Sequence, residues 1–199
     1  GKQCYLYRNY PDHQHVYTQP QPHPIIRIFY AGLLGVAQGI SELCQKINLP
    51  DGVELHIFGD GAETRQIQEF LNANSEKNIV FHGMLTRTEL LTTLSEYDIA
   101  VVPLRTRIYG SVPSKIFEYG ALGFPILYFG GGEGGDIVQQ NNLGWVVEVE
   151  DYAALNDTLV EISKLSADDI LKLKLTVQQN ASVFNLDNQV TNLLEQNVF

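Results

Sequence analysis

The sequence predicts an α/β fold: a doubly wound, mostly parallel six-stranded Rossmann-like sheet with extra helices after its last strand. Two observations carry this. From Ile25 onward, β-branched and aromatic runs alternate with amphipathic stretches, the pattern of parallel strands joined by helical crossovers. Six such runs occur, Ile26 to Ala31, Val53 to Phe58, Ile79 to His82, Ile99 to Leu104, Pro125 to Phe129 and Trp145 to Val149.

The crossovers follow in order. Val36, Ile40, Leu43, Cys44 and Ile47 recur at helical spacing and form one apolar stripe, which makes Cys44 a core residue and not a nucleophile. Asp60 with Glu63 resembles a capping box opening the second helix, and Thr86 with Glu89 makes one opening the third. Pro113 suits the first position of the fourth, where its missing N–H leaves no bond unmade. Three helical stretches close the chain, near Tyr152 to Leu165, Asp168 to Asn180 and Leu186 to Val198. On the last, Leu186, Val190, Leu193, Leu194 and Val198 form a stripe that must cover something.

Residues 25–199 therefore read as one domain, and residues 1–24 as a residual strand, Gln3 to Tyr7, followed by an interdomain linker rich in Pro, His and Gln. His13, His15 and His23 in that tract lack the fixed spacing of metal ligands and read as solvated linker. The chain, 199 residues and 44% hydrophobic, is long and apolar enough to bury a core, which excludes a disordered protein. Cys4 and Cys44 are too few for a disulfide framework and suit a reducing, cytoplasmic site. No apolar run nears the roughly 18 residues that span a bilayer. A net charge of −10 argues against nucleic acid as a partner. Any anion site must be local.

In an open α/β sheet such sites lie beyond the carboxyl ends of the strands. After the first strand, Gly32, Leu33, Leu34 and Gly35 form a small-residue loop that either admits a ligand to the backbone or is merely a tight turn. Ile99 to Phe117 holds no acid yet contains Arg105, Arg107 and Lys115, which implies a cationic pocket; the two arginines read either as phosphate ligands or as solvated loop charges. The backbone N–H groups near Ser114 and Lys115 would face an anion at a helix start. Glu118, one turn deeper, either accepts hydrogen bonds from two ribose hydroxyls or complements the helix dipole. The stretch from Gly130 to Asp136, with Gly132 and Glu133, reads as a loop that settles when ligand is present.

The run from Pro113 through Lys115, Phe117, Glu118 and Tyr119 to Pro125 and Leu127 resembles the PSKxFEYxAxGxPxI segment of retaining family 4 glycosyltransferases of GT-B architecture. Ala37-Gln38-Gly39, Ile57 to Gly61, Ile79 to Gly83, Tyr97 to Ala100 and Gly144 to Val147 extend the resemblance over residues 25 to 165.

The resemblance implies the C-terminal, nucleotide-sugar-binding half of such an enzyme, one half of a GT-B fold, with the N-terminal acceptor domain of the same polypeptide missing from this stretch. The last helix would pack on that domain. Lys115 and Glu118 would be catalytic, with Glu118 on the nucleotide ribose and Lys115 on the diphosphate. Met84 and Leu85, in the loop after the third strand, would border the base. Gly110 stands where the family has a glutamate, and a neighbour such as Glu133 would supply that contact. No metal or other cofactor is expected. A lipid-linked acceptor and surface polysaccharide synthesis, with the enzyme peripheral at the inner membrane face, are implied in the same way. Two rival readings remain at this stage: an NAD(P)-binding oxidoreductase domain with Asp60 on the ribose, and a non-catalytic nucleotide-sugar-binding module.

Overall fold

A computed structural model describes residues 24–106 and 112–195. Six strands alternate with helices: β1 (Ile26–Ala31), α1 (Ile40–Lys46), β2 (Val53–Phe58), α2 (Thr64–Ala73), β3 (Ile79–Gly83), α3 (Arg87–Thr93), β4 (Ile99–Pro103), α4 (Ser114–Ala121), β5 (Ile126–Phe129), α5 (Glu133–Gln140) and β6 (Gly144–Val147). The chain then continues through α6 (Tyr152–Ile162), α7 (Ala167–Ala181) and α8 (Leu186–Glu195). Every strand lies within two residues of its predicted span. The sheet order is β3-β2-β1-β4-β5-β6, and all pairings are parallel. The winding therefore reverses between β1 and β4, and a crevice opens at their carboxyl ends.

Alternation along β1 divides the core. Ile28 and Tyr30 face one side with Ile40, Leu43 and Cys44 of α1, Ile67 of α2 and Leu155 and Leu159 of α6. Phe29 and Ala31 face the other, with Ile116 and Tyr119 of α4, Val138 of α5 and Val177 of α7. The inner strands β1, β2, β4 and β5 are covered on both faces and so read as continuous apolar runs. Cys44 is fully buried, and burial pushes its thiol up to about 12, as a core residue should behave.

Several local expectations need correction. Val36 is 57% exposed and does not join the stripe of α1, because Gly39 in the left-handed conformation caps that helix and its first turn starts at Ile40. Asp60 and Glu63 form no capping box. Asp60 Oδ1 accepts from the Gly61 N–H at 2.8 Å and the Thr64 hydroxyl at 2.7 Å, while Glu63, 7% exposed, turns back to accept the Ser41 N–H at 3.0 Å. Its carboxylate thus caps α1 instead. The Thr86–Glu89 capping box is present as predicted. Pro113 sits one residue before α4, not in it. Gly130 to Asp136 is not one loop: α5 begins at Glu133, and Gly134 is buried where a Cβ would lie 2.5 Å from the Tyr128 hydroxyl. There the missing side chain permits close packing. On α8, Leu186, Val190 and Leu194 are exposed as the stripe predicts, while Val198 lies outside the described residues.

Candidate functional site

A cleft of about 330 Å³ opens at the carboxyl ends of β1 and β2. Gly32 and Leu33 line it from the first loop, Phe58, Gly59 and Asp60 from the second, Met84 and Leu85 from the third, and Lys115 from α4. Seven of these eight come from three strand ends, so the sheet register positions the walls. Leu33 and Met84 are 65% and 76% exposed, and they stand at the rim.

The electrostatic centre is the start of α4. No side chain caps it and its first turn holds no acid, so the N–H groups of Ser114 and Lys115 have no partner within the helix. Ser114 is exposed at the first position. Lys115 reaches Glu118 with Nζ 2.8 Å from Oε2, one helical turn apart, and both side chains are about one-third exposed at 32% and 28%. The ammonium also lies 5.3 Å from the centre of the Tyr119 ring.

Tyr119 fixes that helix to the sheet. Its hydroxyl, pushed to a higher pKa mainly by burial, donates to the Ala31 carbonyl at 2.8 Å and accepts the Ala31 N–H at 3.2 Å. Tyr30, on β1, donates to the Leu33 carbonyl at 2.7 Å. The second loop packs under the first: a Cβ on Gly59, whose φ is +143°, would collide with the Gly32 carbonyl oxygen. Loops one and two are therefore stacked.

Arg105 is placed elsewhere. Its N–H donates to the Ala37 carbonyl at 2.9 Å and its Nε lies 3.3 Å from Glu42, beside a second cavity of about 10 Å³ lined also by Gln38 and Glu150. The hydrogen bond from Lys46, and then the charges of Lys46 and Arg105, hold the Glu42 carboxyl below its ordinary range. Arg107 and Gly110 lie outside the described residues. Gly132 caps α5 with φ +79° and Glu133 is its first residue, next to the carboxyl end of β5. Asp60 reaches the cleft wall, where the Thr64 hydroxyl and then the Gly61 N–H lower its pKa, so its carboxylate is spent on the turn.

Two features escaped sequence reasoning. His56 and His82 pair through Nδ1 and Nε2 at 2.9 Å, with Glu54 3.2 Å from the other His56 nitrogen and the Tyr97 hydroxyl at 3.1 Å from His56 Nδ1. Burial first, and for His82 the neighbouring His56 next, lowers both imidazole pKa values. His82 stacks on Phe58 at 4.4 Å, so this ladder backs the cleft wall. The second is Tyr30, whose hydroxyl reads in sequence as one more aromatic of a strand. Alternation with Phe29 and Ala31 gives its face, but nothing local gives its partner.

Residues 26–164 match the family described as glycosyl transferases group 1. No curated protein sequence matches the chain. Among solved structures, a mutant of S. aureus TarM in complex with fondaparinux, alpha-GlcNAc-glycerol and UDP is similar with a TM-score of 0.70 at 17% identity, over 96% of this chain and 37% of that one. HepE of Anabaena in complex with UDP-glucose gives 0.68 at 14% identity, over 87% of this chain and 49% of that one. The C-terminal domain of the glycosyl transferase group 1 family protein LpcC from Francisella tularensis gives 0.57 at 17% identity, over 88% of this chain and 95% of that domain. The chain thus spans less than half the length of TarM and HepE.

Proposed function

This chain belongs to the glycosyl transferases group 1 family, and from that premise we propose that it is the donor-binding half of a retaining glycosyltransferase, taking a nucleotide diphosphate sugar in the cleft beside α4. One observation carries the reading: an acid-free helix start, with Lys115 and Glu118 on one turn, opens beside a cleft at the point where the sheet reverses. In this reading the donor splits the resting ion pair. Lys115 turns to the diphosphate, joined by the N–H groups of Ser114 and Lys115, and Glu118 accepts from two ribose hydroxyls. Met84 and Leu85 border the base, and Gly32, Leu33 and Gly35 of the first loop let the diphosphate approach the backbone. Gly132 and Glu133 bound the donor sugar.

Chemically, the bond between the anomeric carbon and the diphosphate oxygen breaks, and negative charge gathers on the leaving group. Fixed donors aimed at that charge stabilise it without reorganising, which is the role of Lys115 and the helix start. The acceptor hydroxyl then bonds to the anomeric carbon on the face the diphosphate leaves and gives its proton to the departing diphosphate oxygen. These donors replace a metal ion in the proposal. The acceptor site belongs to an N-terminal domain of the longer polypeptide, consistent with coverage of nearly all of a C-terminal domain but half or less of TarM and HepE. A hexosyl donor, a lipid-linked acceptor of surface polysaccharide and work peripheral to the inner membrane face complete the proposal. Among the described residues no helix is long and apolar enough to cross a membrane.

The test is calorimetric titration of the chain with UDP, GDP and NADH, with and without EDTA. The expected outcome is binding of a nucleoside diphosphate, untouched by EDTA, with UDP tried first because TarM and HepE carry uridine ligands. Preferential binding of NADH overturns the reading. Turnover by the full polypeptide, with the product anomer assigned by NMR, separates an enzyme from a binding module.

A further inference from the structure

The loop after β1 is held by two phenol hydroxyls, and packing alone does not explain one of them. Tyr30 is 5% exposed in an apolar cluster with Leu34, Ile40 and Ile57, where a phenylalanine ring would fill the same space without a polar atom to bury. Its hydroxyl ends on the Leu33 carbonyl at 2.7 Å. From the opposite face, the Tyr119 hydroxyl holds both polar groups of Ala31. Gly32 between them donates to the Phe58 carbonyl at 3.0 Å. A Cβ on Gly32 would lie 3.1 Å from the Tyr30 hydroxyl and 3.6 Å from Lys115 Cε. The tyrosine hydroxyl and the stem of Lys115 therefore border the same narrow space beside the Gly32 Cα.

We infer that Tyr30 is a positioning residue for the diphosphate contact: by tethering the Leu33 carbonyl, its hydroxyl keeps the Gly32 backbone against Lys115 and so fixes where the ammonium stands at the cleft. This rests on the donor reading above. The hydroxyl touches no ligand itself. Its effect reaches the ligand through Lys115, which gives the role a signature that simple loss of stability lacks.

The experiment measures Kd for UDP and uridine, and for GDP and guanosine, in four proteins: wild type, Tyr30→Phe, Lys115→Ala and the double variant. Tyr30→Phe is expected to weaken the nucleoside diphosphate roughly fivefold, the scale of one net hydrogen bond, and to leave the nucleoside unchanged. In the Lys115→Ala background the same change is expected to have no further effect on diphosphate affinity. A thermal melt of each variant confirms that the protein titrated is folded. If wild type binds a nucleoside diphosphate and Tyr30→Phe binds it equally well, or if the two losses simply add, the positioning role is overturned while the donor reading stands. If wild type binds no nucleoside diphosphate, the donor reading falls and this role with it.

Discussion

Two lysine–carboxylate pairs sit at opposite ends of the same sheet. At the amino end of β4, Lys174 of α7 reaches Asp98 at 3.4 Å and the Tyr97 carbonyl at 2.6 Å, with side chains only 2% and 8% exposed. At the carboxyl end, Lys115 and Glu118 are 2.8 Å apart but about one-third open to solvent. The first pair is sealed and bolts α7 to the sheet. The second has the better distance and the weaker hold, because water screens it and both partners can turn to something else. On the proposed donor reading, a site that exchanges partners uses the exposed pair, and a joint that must not uses the buried one.

Removing one partner from each pair breaks the comparison where it is sharpest. Asp98→Ala strands a buried ammonium and also unpairs the Arg27 N–H, so stability is expected to fall by about 3 to 5 kcal/mol, read by chemical denaturation. Lys115→Ala is expected to leave the denaturation midpoint nearly unchanged. It should instead cost about 1.5 to 3 kcal/mol of nucleoside diphosphate affinity, roughly 10- to 150-fold, with nucleoside affinity intact. Equal losses for both ligands would remove Lys115 from the diphosphate. Glu118→Gln is expected to weaken ribonucleotides by about 1 kcal/mol and to spare their 2′,3′-dideoxy analogues. An indifferent response would leave Glu118 as a helix-dipole partner only.

The sealed pair also carries a pH dependence of its own. Burial, only partly opposed by Asp98, lowers the Lys174 ammonium from its ordinary 10.5 to about 8. Between those values the unfolded chain binds more protons than the folded one, so the Lys174 contribution to stability rises with pH across that window. Denaturation of wild type and Lys174→Met at several pH values reads it as a difference, and a flat difference would show that folding does not lower the lysine's pKa.

The strands and most helices were legible because period and length are local properties. The helix carrying Lys115 and Glu118 was legible for the same reason, whereas the ion pair between them was not read from the sequence. What failed was non-local. Glu63 looked like a cap for its own helix, yet its carboxylate serves Ser41, 22 residues back. Arg105 looked like a free cation in an acid-free stretch, but Glu42 reaches it from another crossover. Gly134 and Gly135 suggested a supple loop, whereas contact with Tyr128 and Val146 makes them the thin face of a helix. In each case a neighbour distant in sequence decided the role.

The stacking of the first two loops carries a consequence for how such a chain could diversify. Gly59 admits no side chain beneath the Gly32 carbonyl, and a Cβ on Gly61 would meet the Leu34 carbonyl at 2.5 Å, so the floor of the cleft is a double thickness of bare backbone that tolerates no carving. Leu33 and Met84, by contrast, project outward at 65% and 76% exposure. Selection for a new preference would rewrite the parapet and inherit the floor.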